Sequence, residues 1–260
     1  MTWWEFALVL LAGMAAGTIN TLVGSGTLIT FPTLLAFGYP PVVANISNNV
    51  GLVPGGVSGT VGYRAELKGQ GRRLRVLVPM SLLGSVTGAI LLLVLPAEAF
   101  AAIVPVLLGI SLVMVILQPR MQRSLAARRE ARGLDAAHTS GGHTALMIGG
   151  VYLAGVYGGY FGAAQGVLLV GLLGTLLPES LQRVNALKNL LSLVVNAVAA
   201  VTFCLVAFDK IDWQVVAAIA IGSLLGGVIG SRVGRRLPAP VLRAIIVVVG
   251  VVAIVMILAR

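Results

Sequence analysis

Residues 16–31 read AGTINTLVGSGTLITF, and residues 158–169 read GGYFGAAQGVLL. These stretches lie in apolar segments, 6–37 and 144–177, that are too long for one crossing, because a bilayer core needs about 20 helical residues. Gly24 and Gly26 interrupt the first segment, and Gly162 and Gly166 interrupt the second. Such breaks are tolerated at membrane depth where protein or a wet cavity satisfies the freed backbone groups. We therefore predict two discontinuous or re-entrant helices, with close packing through small residues as the alternative.

The composition of the chain is that of a membrane protein. Hydrophobic residues make up 58% of the 260 residues and charged residues only 10%, against roughly 25% charged in a soluble domain. Further apolar segments of single-span length occupy 44–63, 76–95, 99–117, 189–208, 213–231 and 241–259. We predict an all-α polytopic transmembrane bundle. The net charge of +10 lies in short connections, which is typical of cytoplasmic loops, so nucleic-acid binding is not expected.

Two sequence blocks recur at a nearly constant offset. Residues 45–49, NISNN, correspond to 185–189, NALKN, and SLLG at 81–84 corresponds to SLLG at 223–226. In both halves the second block is followed by further matching residues, Gly88 and Pro96 in the first half and Gly230 and Pro238 in the second. We predict an internal duplication, with a first transmembrane repeat at 1–117, a basic cytoplasmic linker at 118–143 and a second repeat at 144–260.

The basic residues indicate how the two halves are oriented. Positive charge is concentrated at 64–75 in the first half, but one loop later in the second, at Arg232, Arg235 and Arg236. Corresponding loops of the halves would then face opposite sides, as in inverted repeats with an odd number of crossings per half. A parallel duplication is the alternative, and it would leave the Arg232 cluster outside.

Polar residues within the apolar segments are the candidate substrate-binding residues, because polar groups at membrane depth are costly unless partnered. They gather at the breaks and at the start of the following helix in each half. In the second half Asn185, Lys188, Asn189, Ser192 and Asn196 recur every three or four residues and form one polar stripe. The alternative is interhelical hydrogen bonding, worth about 0.6 kcal/mol per contact. The candidate site consists of Asn20, Thr21, Ser25, Thr27, Asn45, Asn48, Asn49, Tyr160, Gln165, Asn185, Lys188 and Asn189.

Lys188 is the most informative of these residues. A lysine at the bilayer centre costs about 2.5–3.5 kcal/mol on insertion scales, and every Asp and Glu falls near the end of an apolar segment. We expect an incoming anion to be its partner, assisted by N–H groups at the half-helix amino termini. The alternative is that Lys188 extends to the interface, toward Glu179. No catalytic residue, cofactor or metal is predicted, since the spans hold no such constellation and Cys204 is the single cysteine.

These residues resemble the sulfite exporter TauE/SafE family of membrane permeases. The resemblance is carried by residues 16–26 with Thr30-Phe31-Pro32, Pro40-Pro41 and Ala44-Asn45, and by residues 158–163, 165–166 and 185–189. It implies a multi-pass protein of the bacterial inner membrane. Such a protein would transport a small anion such as sulfite or an organosulfonate, generally outward. Ser25 and Thr27 stand where the family is usually richer in glycine.

The sequence thus predicts a secondary transporter of a small anion, working by alternating access between two repeats in the lipid bilayer. An anion channel, or a transporter of another small carboxylate or inorganic anion, remains the alternative. A membrane enzyme is disfavoured. No lysine ends a phosphate-binding loop of the Gly-Lys-Ser/Thr type, so transport is not driven by ATP hydrolysis of that kind in this chain. A homo-oligomer is compatible with the sequence.

Overall fold

The computed structural model describes residues 1–132, 141–232 and 239–258, and over these residues the chain is helical and contains no strand. The helices are α1 (Trp3–Leu22), α2 (Thr27–Ala36), α3 (Pro41–Gly62), α4 (Gly71–Val94), α5 (Ala97–Arg132), α6 (Gly141–Tyr160), α7 (Gln165–Leu176), α8 (Leu181–Val206), α9 (Trp213–Arg232) and α10 (Ala239–Leu258). One short 3-10 turn, Phe208–Lys210, precedes α9.

The helices divide into long spans and two short limbs. Five of those described are long and apolar enough to cross a membrane: α1, α4, α8, α9 and the Ala97–Ser124 part of α5. In contrast, α2 and α7 have 10 and 12 residues, which corresponds to about half the thickness of a bilayer core. The prediction of an all-α polytopic membrane protein is confirmed.

One helix extends beyond its apolar segment. The apolar segment at 99–117 ends before the arginines begin, but α5 continues to Arg132, because arginine is a good helix former that prolongs the helix into water. The first part of the predicted linker is therefore helical. Residues 133–140 lie outside the described residues, as do Arg235 and Arg236, so the side on which the linker lies stays a prediction.

The first interrupted segment is a helical hairpin. A methyl group on Gly26 would lie 2.5 Å from the carbonyl oxygen of Ala16, so α2 begins beside the last turns of α1. At the other end, the Phe37 ring lies 5.7 Å from the Trp4 ring. Hence α2 returns to the end of the bundle at which α1 starts, as expected for a re-entrant element.

The second interrupted segment folds back in the same way. The start of α7 lies beside Gly158, where a methyl group would lie 2.6 Å from the amide nitrogen of the Gln165 side chain. Further along α7, Leu172 lies beside Gly150, where an added methyl group would again be 2.6 Å from the leucine side chain. Both interruptions predicted from the glycines are therefore present.

The repeated glycines lie where helices of different halves cross. In α9, a methyl group on Gly226 would lie 2.9 Å from the backbone nitrogen of Thr18 in α1. In α4, a methyl group on the equivalent Gly84 would lie 2.9 Å from the backbone nitrogen of Val156 in α6. The first helix of each half thus packs closely on the fourth helix of the other half. Any larger side chain at these positions would push the pair apart.

Contacts along the central helices define their directions. Helices α3 and α9 run parallel, because Gly51 lies beside Ile219 and Gly62, eleven residues later, lies beside Ser231. Helices α4 and α8 also run parallel, since their first turns meet around Arg183 and the Ser85 hydroxyl donates to the Val195 carbonyl at 2.7 Å. The loops at 63–70 and 177–180 therefore lie at one end of the bundle, which we call the basic end.

Candidate functional site

The first break frees two carbonyl groups at the carboxyl end of α1. Backbone N–H groups of Val23 and Gly24 both donate to the Ile19 carbonyl, at 2.7 and 3.1 Å, and Gly24 adopts φ +87°. Glycine is favoured at such a left-handed helix end, because it has no Cβ to clash. The carbonyls of Asn20 and Thr21 therefore receive no N–H from a continuing helix.

The second break repeats this geometry at the end of α6. N–H groups of Phe161 and Gly162 both donate to the Tyr157 carbonyl, at 2.9 and 3.0 Å, and Gly162 adopts φ +77°. Ala164 then adopts φ 59°, in the left-handed region that few non-glycine residues occupy. The Ala163 carbonyl accepts hydrogen bonds from the hydroxyls of Ser111 and Tyr157, at 3.1 and 2.5 Å. The break is thus held by α5 as well as by its own helix.

The two breaks touch each other. The Gly166 N–H donates to the Gly24 carbonyl at 3.0 Å, which is a direct backbone bond between the halves. No side chain fits there, because a methyl group on Gly166 would lie 2.8 Å from Cδ of Lys188 and 3.0 Å from the Gly24 carbonyl oxygen. Gly24 and Gly166, both predicted as break residues, thus form the point of contact.

Lys188 is fully buried at this point. Its ammonium donates to the carbonyls of Asn20 and Thr21, at 2.8 and 3.1 Å, and to Oδ1 of Asn189 at 2.7 Å. These contacts use all three N–H donors of a lysine. The alternative in which Lys188 extends to the interface toward Glu179 is therefore excluded. The structure instead places the cation at the carboxyl end of α1, where the helix dipole is negative.

Lys188 has hydrogen-bond partners, but none of them neutralises its charge. The two backbone carbonyls and the amide oxygen are dipoles, and no Asp or Glu of the described residues forms an ion pair with Lys188. An incoming anion as the partner of Lys188 stays a prediction. The structure shows that protein groups already satisfy its donors, so an anion would interact with this lysine chiefly through its charge.

Asn45 and Asn185 occupy equivalent positions in the two halves and make equivalent contacts. The Asn185 side chain donates to the Thr21 carbonyl at 3.2 Å, and the Asn45 side chain donates to the Tyr160 carbonyl at 2.9 Å. Each asparagine therefore caps the broken helix of the opposite half, which accounts for their recurrence in the sequence.

The remaining asparagines of α3 have other contacts. Asn48 accepts from the Thr30 hydroxyl and donates to the Thr27 hydroxyl at 3.3 Å, so it joins α3 to α2 within one half. Asn49 donates to the amide oxygen of Asn196 in α8 at 3.5 Å. These contacts agree with the alternative interpretation, in which the asparagines form interhelical hydrogen bonds. The residues with such protein partners are Asn48, Asn49 and Thr27.

Several buried polar atoms beside the crossing have no hydrogen-bond partner. They are the Ser25 hydroxyl, the Gln165 amide nitrogen, the Asn189 amide nitrogen and the Ser192 hydroxyl. All four residues are at least nine-tenths buried, and an unmade bond at such depth costs about 1–3 kcal/mol per group. Each of the four can donate to an anion, and Asn189 also binds Lys188. Ser25 and Gln165 are chain neighbours of the Gly24–Gly166 contact, and Ser192 lies one turn beyond Lys188 on α8.

A cluster of aromatic rings lies at the carboxyl end of α6, next to the second break. Phe100 lies 5.5 Å from Tyr160 and 6.1 Å from Phe161, and Phe31 lies 5.2 Å from Phe161. The Tyr160 hydroxyl is buried without a partner. Tyr160 was predicted from the sequence, whereas the three phenylalanines were not, since nothing distinguishes them from other apolar residues of the spans.

Gln118 is a site residue that the sequence did not indicate. It is 1% exposed, and its amide donates to the Val23 carbonyl at the first break, at 3.4 Å. Gln118 follows Leu117, the last residue of the apolar segment, so the sequence pattern places Gln118 in the linker. Its only signal was an uncharged polar residue ahead of the arginines.

A cavity of about 520 Å³ lies between α5, α6 and α7. Its lining is almost wholly apolar and includes Met114, Leu117 and Leu168. Leu117 and Leu168 also belong to the exposed apolar surface of the bundle. Gln118, which donates to the Val23 carbonyl at the first break, also lines this cavity. The cavity therefore borders the polar crossing, but its apolar lining is unsuited to a small anion.

Comparisons with known proteins agree over almost the whole chain. The family model described as "Sulfite exporter TauE/SafE" matches residues 9–257. The "Probable membrane transporter protein YfcA" of Escherichia coli K12 is 28% identical over 241 residues, which is 92% of this chain and 84% of that protein. The "Probable membrane transporter protein ORF9" of Sinorhizobium sp. is 26% identical over 253 residues, 97% of this chain and 92% of that protein. No solved structure gives a significant match.

Proposed function

The chain belongs to the sulfite exporter TauE/SafE family of membrane transporters, and from this premise we propose that it is a secondary exporter of a small oxyanion, sulfite or an organosulfonate such as sulfoacetate. The family description supports sulfite. The curated relatives support a membrane transporter in general, since their names specify no substrate. Several of these relatives come from Escherichia coli, which supports a bacterial inner membrane as the location.

One observation carries the proposal: Lys188 is fully buried where two broken helices meet, beside hydrogen-bond donors that have no partner. A unit anion 4 Å from the ammonium would be attracted by about 4 kcal/mol at an effective dielectric constant of 20. That attraction holds whether or not the ammonium donates to the anion directly. The free donors of Ser25, Gln165 and Asn189 would supply the hydrogen bonds.

The roles within this site differ among the predicted residues. Ser25, Gln165 and Asn189 would contact the anion, with Ser192 added to them. Lys188 would provide the charge and hold the end of α1. Asn45 and Asn185 would keep the two breaks in shape through their bonds to the Tyr160 and Thr21 carbonyls.

The arrangement of the halves supports alternating access between inverted repeats. Helix α3 is joined to α4 by a short loop and runs in the opposite direction, while α8 runs parallel to α4. Equivalent helices α3 and α8 therefore have opposite directions. The basic loop at 63–70 and Arg232 at the end of α9 then share the basic end, which we assign to the cytoplasm. Rocking of one half against the other about the Gly24–Gly166 contact would expose the site to each side in turn.

Flux measurement in liposomes tests this function. Purified protein should move radiolabelled sulfite or sulfoacetate down a gradient, and Lys188→Met should abolish this flux. Lys210→Met is the matched control, because Lys210 lies in the exposed turn before α9. Wild-type protein that moves none of these anions would refute the proposed function, whereas unchanged flux in Lys188→Met would remove Lys188 from the mechanism. Single-channel recording would separate a carrier from a channel.

A further inference from the structure

Three charged side chains join the two halves at the basic end. Glu179, in the α7–α8 loop, binds Arg73 of α4 through Oε1 and Nε of Arg183 through Oε2, the latter at 2.6 Å. We call this group the Arg73–Glu179–Arg183 bridge. Each carboxylate oxygen thus faces one guanidinium.

The bridge is partly open to water. Both arginine side chains are 32% exposed, and the Glu179 side chain is 18% exposed. Two cations face one anion, so the group keeps a net charge of +1. A dissolved anion could therefore reach the guanidiniums and would be attracted by them.

Arg183 is held in place by contacts that do not involve the carboxylate. Its Nη1 donates to the Lys68 carbonyl at 3.2 Å, and its own carbonyl accepts from the Gln70 side chain at 3.3 Å. Gln70 is 1% exposed. If Glu179 moved away, Arg183 would therefore keep its position and present a free N–H to solvent.

The chemistry of the bridge matches that of the proposed substrate. A guanidinium recognises carboxylates and other oxyanions by the same planar hydrogen-bonding geometry. Sulfite and sulfonates carry such oxygens, as does the Glu179 carboxylate. Arg183 lies in the first turn of α8, the helix that carries Lys188 five residues later, which is a rise of about 7.5 Å.

We propose that Arg73 and Arg183 form a second anion site at the basic end, occupied in this structure by the Glu179 carboxylate and taken over by the substrate as it reaches the transporter. Displacement of Glu179 would break the ion-paired link between α4 and the α7–α8 loop, so arrival of the anion would loosen the contact between the two halves at the basic end. This proposal rests on the proposed transport of a small oxyanion.

Direct binding measurements test the second site without requiring transport. Calorimetry with sulfite, sulfate and sulfoacetate would be run on detergent-purified wild type, Glu179→Gln and Arg73→Gln/Arg183→Gln. We expect Glu179→Gln to bind at least one of these anions about tenfold more tightly, because the internal competitor is gone. The double variant should bind about tenfold more weakly. Arg72→Gln/Arg75→Gln is the matched control, since it removes the same two positive charges from exposed positions near the start of α4 but lies outside the bridge.

The outcomes separate this proposal from the proposed function. If Glu179→Gln binds none of the three anions, or binds as wild type does, the second site is refuted even where liposome flux of wild type is normal. If Glu179→Gln binds tightly while wild-type liposomes show no flux, the second site stands and the transport function fails. A bridge that is only structural would lower the melting temperature in Glu179→Gln and leave anion affinity unchanged.

Discussion

Replacing Gly166 by alanine would place a methyl group inside the contact between the two broken helices. Its carbon would lie 2.8 Å from Cδ of Lys188 and 3.0 Å from the Gly24 carbonyl oxygen, so the breaks would have to separate. Overpacking of this kind costs about 1–3 kcal/mol. Loss of the Gly166–Gly24 hydrogen bond adds about 0.5–1.5 kcal/mol. We expect a total destabilisation of about 2–4 kcal/mol.

Thermal unfolding of the purified protein measures this effect. A loss of 2–4 kcal/mol corresponds to a fall in melting temperature of roughly 4–16 °C for a chain of this size. Gly109→Ala is the matched control, because a methyl group there meets no atom within 4 Å, and alanine is the better helix former by about 0.8–1.0 kcal/mol. Gly166→Ala should also reduce anion flux, while Gly109→Ala should not. A Gly166→Ala protein as stable and active as wild type would show that the breaks do not pack in this way.

Three other predictions address the caps, the helix crossings and the bridge. Asn45→Ala should destabilise the protein by about 1–3 kcal/mol, because the buried Tyr160 carbonyl loses its donor; a melting temperature equal to that of wild type would contradict the cap. Gly84→Ala and Gly226→Ala should impair folding to a similar degree, as judged by monodisperse yield, because both crossings have the same geometry; an effect in one alone would argue against equivalent halves. Burial raises the pKa of Glu179, but hydrogen bonds and charges from Arg73 and Arg183 outweigh it and hold this pKa below the ordinary value of 4.5. The bridge should therefore stabilise the protein fully above pH 4.5 and lose its effect as the pH falls through the lowered pKa; an acid unfolding profile identical to that of Glu179→Gln would contradict this.

The sequence was sufficient to predict the two helix breaks and the helical periodicity of the polar stripe. Gly24 and Gly162 adopt the left-handed conformation that only glycine adopts readily, so their spacing within long apolar segments is a direct local signal. The stripe of Lys188, Asn189 and Ser192 follows helical periodicity, which is also local. Gln165 lies at the second break. When both breaks are placed at the same depth in the membrane, Gln165 is therefore expected close to this stripe.

Other features of the site depend on contacts that no local pattern encodes. The partners of Lys188 are backbone carbonyls of α1, and every residue has such a carbonyl, so side-chain types could not identify them. Asn48 shares a helical face with Asn45 but turns to Thr27 and Thr30 of its own half. The aromatic cluster likewise combines Phe31, Phe100 and Phe161, which come from three separate segments.

The crossing of α1 with α9 has a consequence for biogenesis. Thr18 donates to the carbonyl of Gly226, which is 208 residues later in the chain. At about 5–20 residues per second, the ribosome needs roughly 10–40 s to supply that partner. During this interval the small-residue face of α1 stays in the lipid or is held by the insertion machinery. Premature release of the nascent chain within this window should leave the amino-terminal half a substrate for membrane proteases.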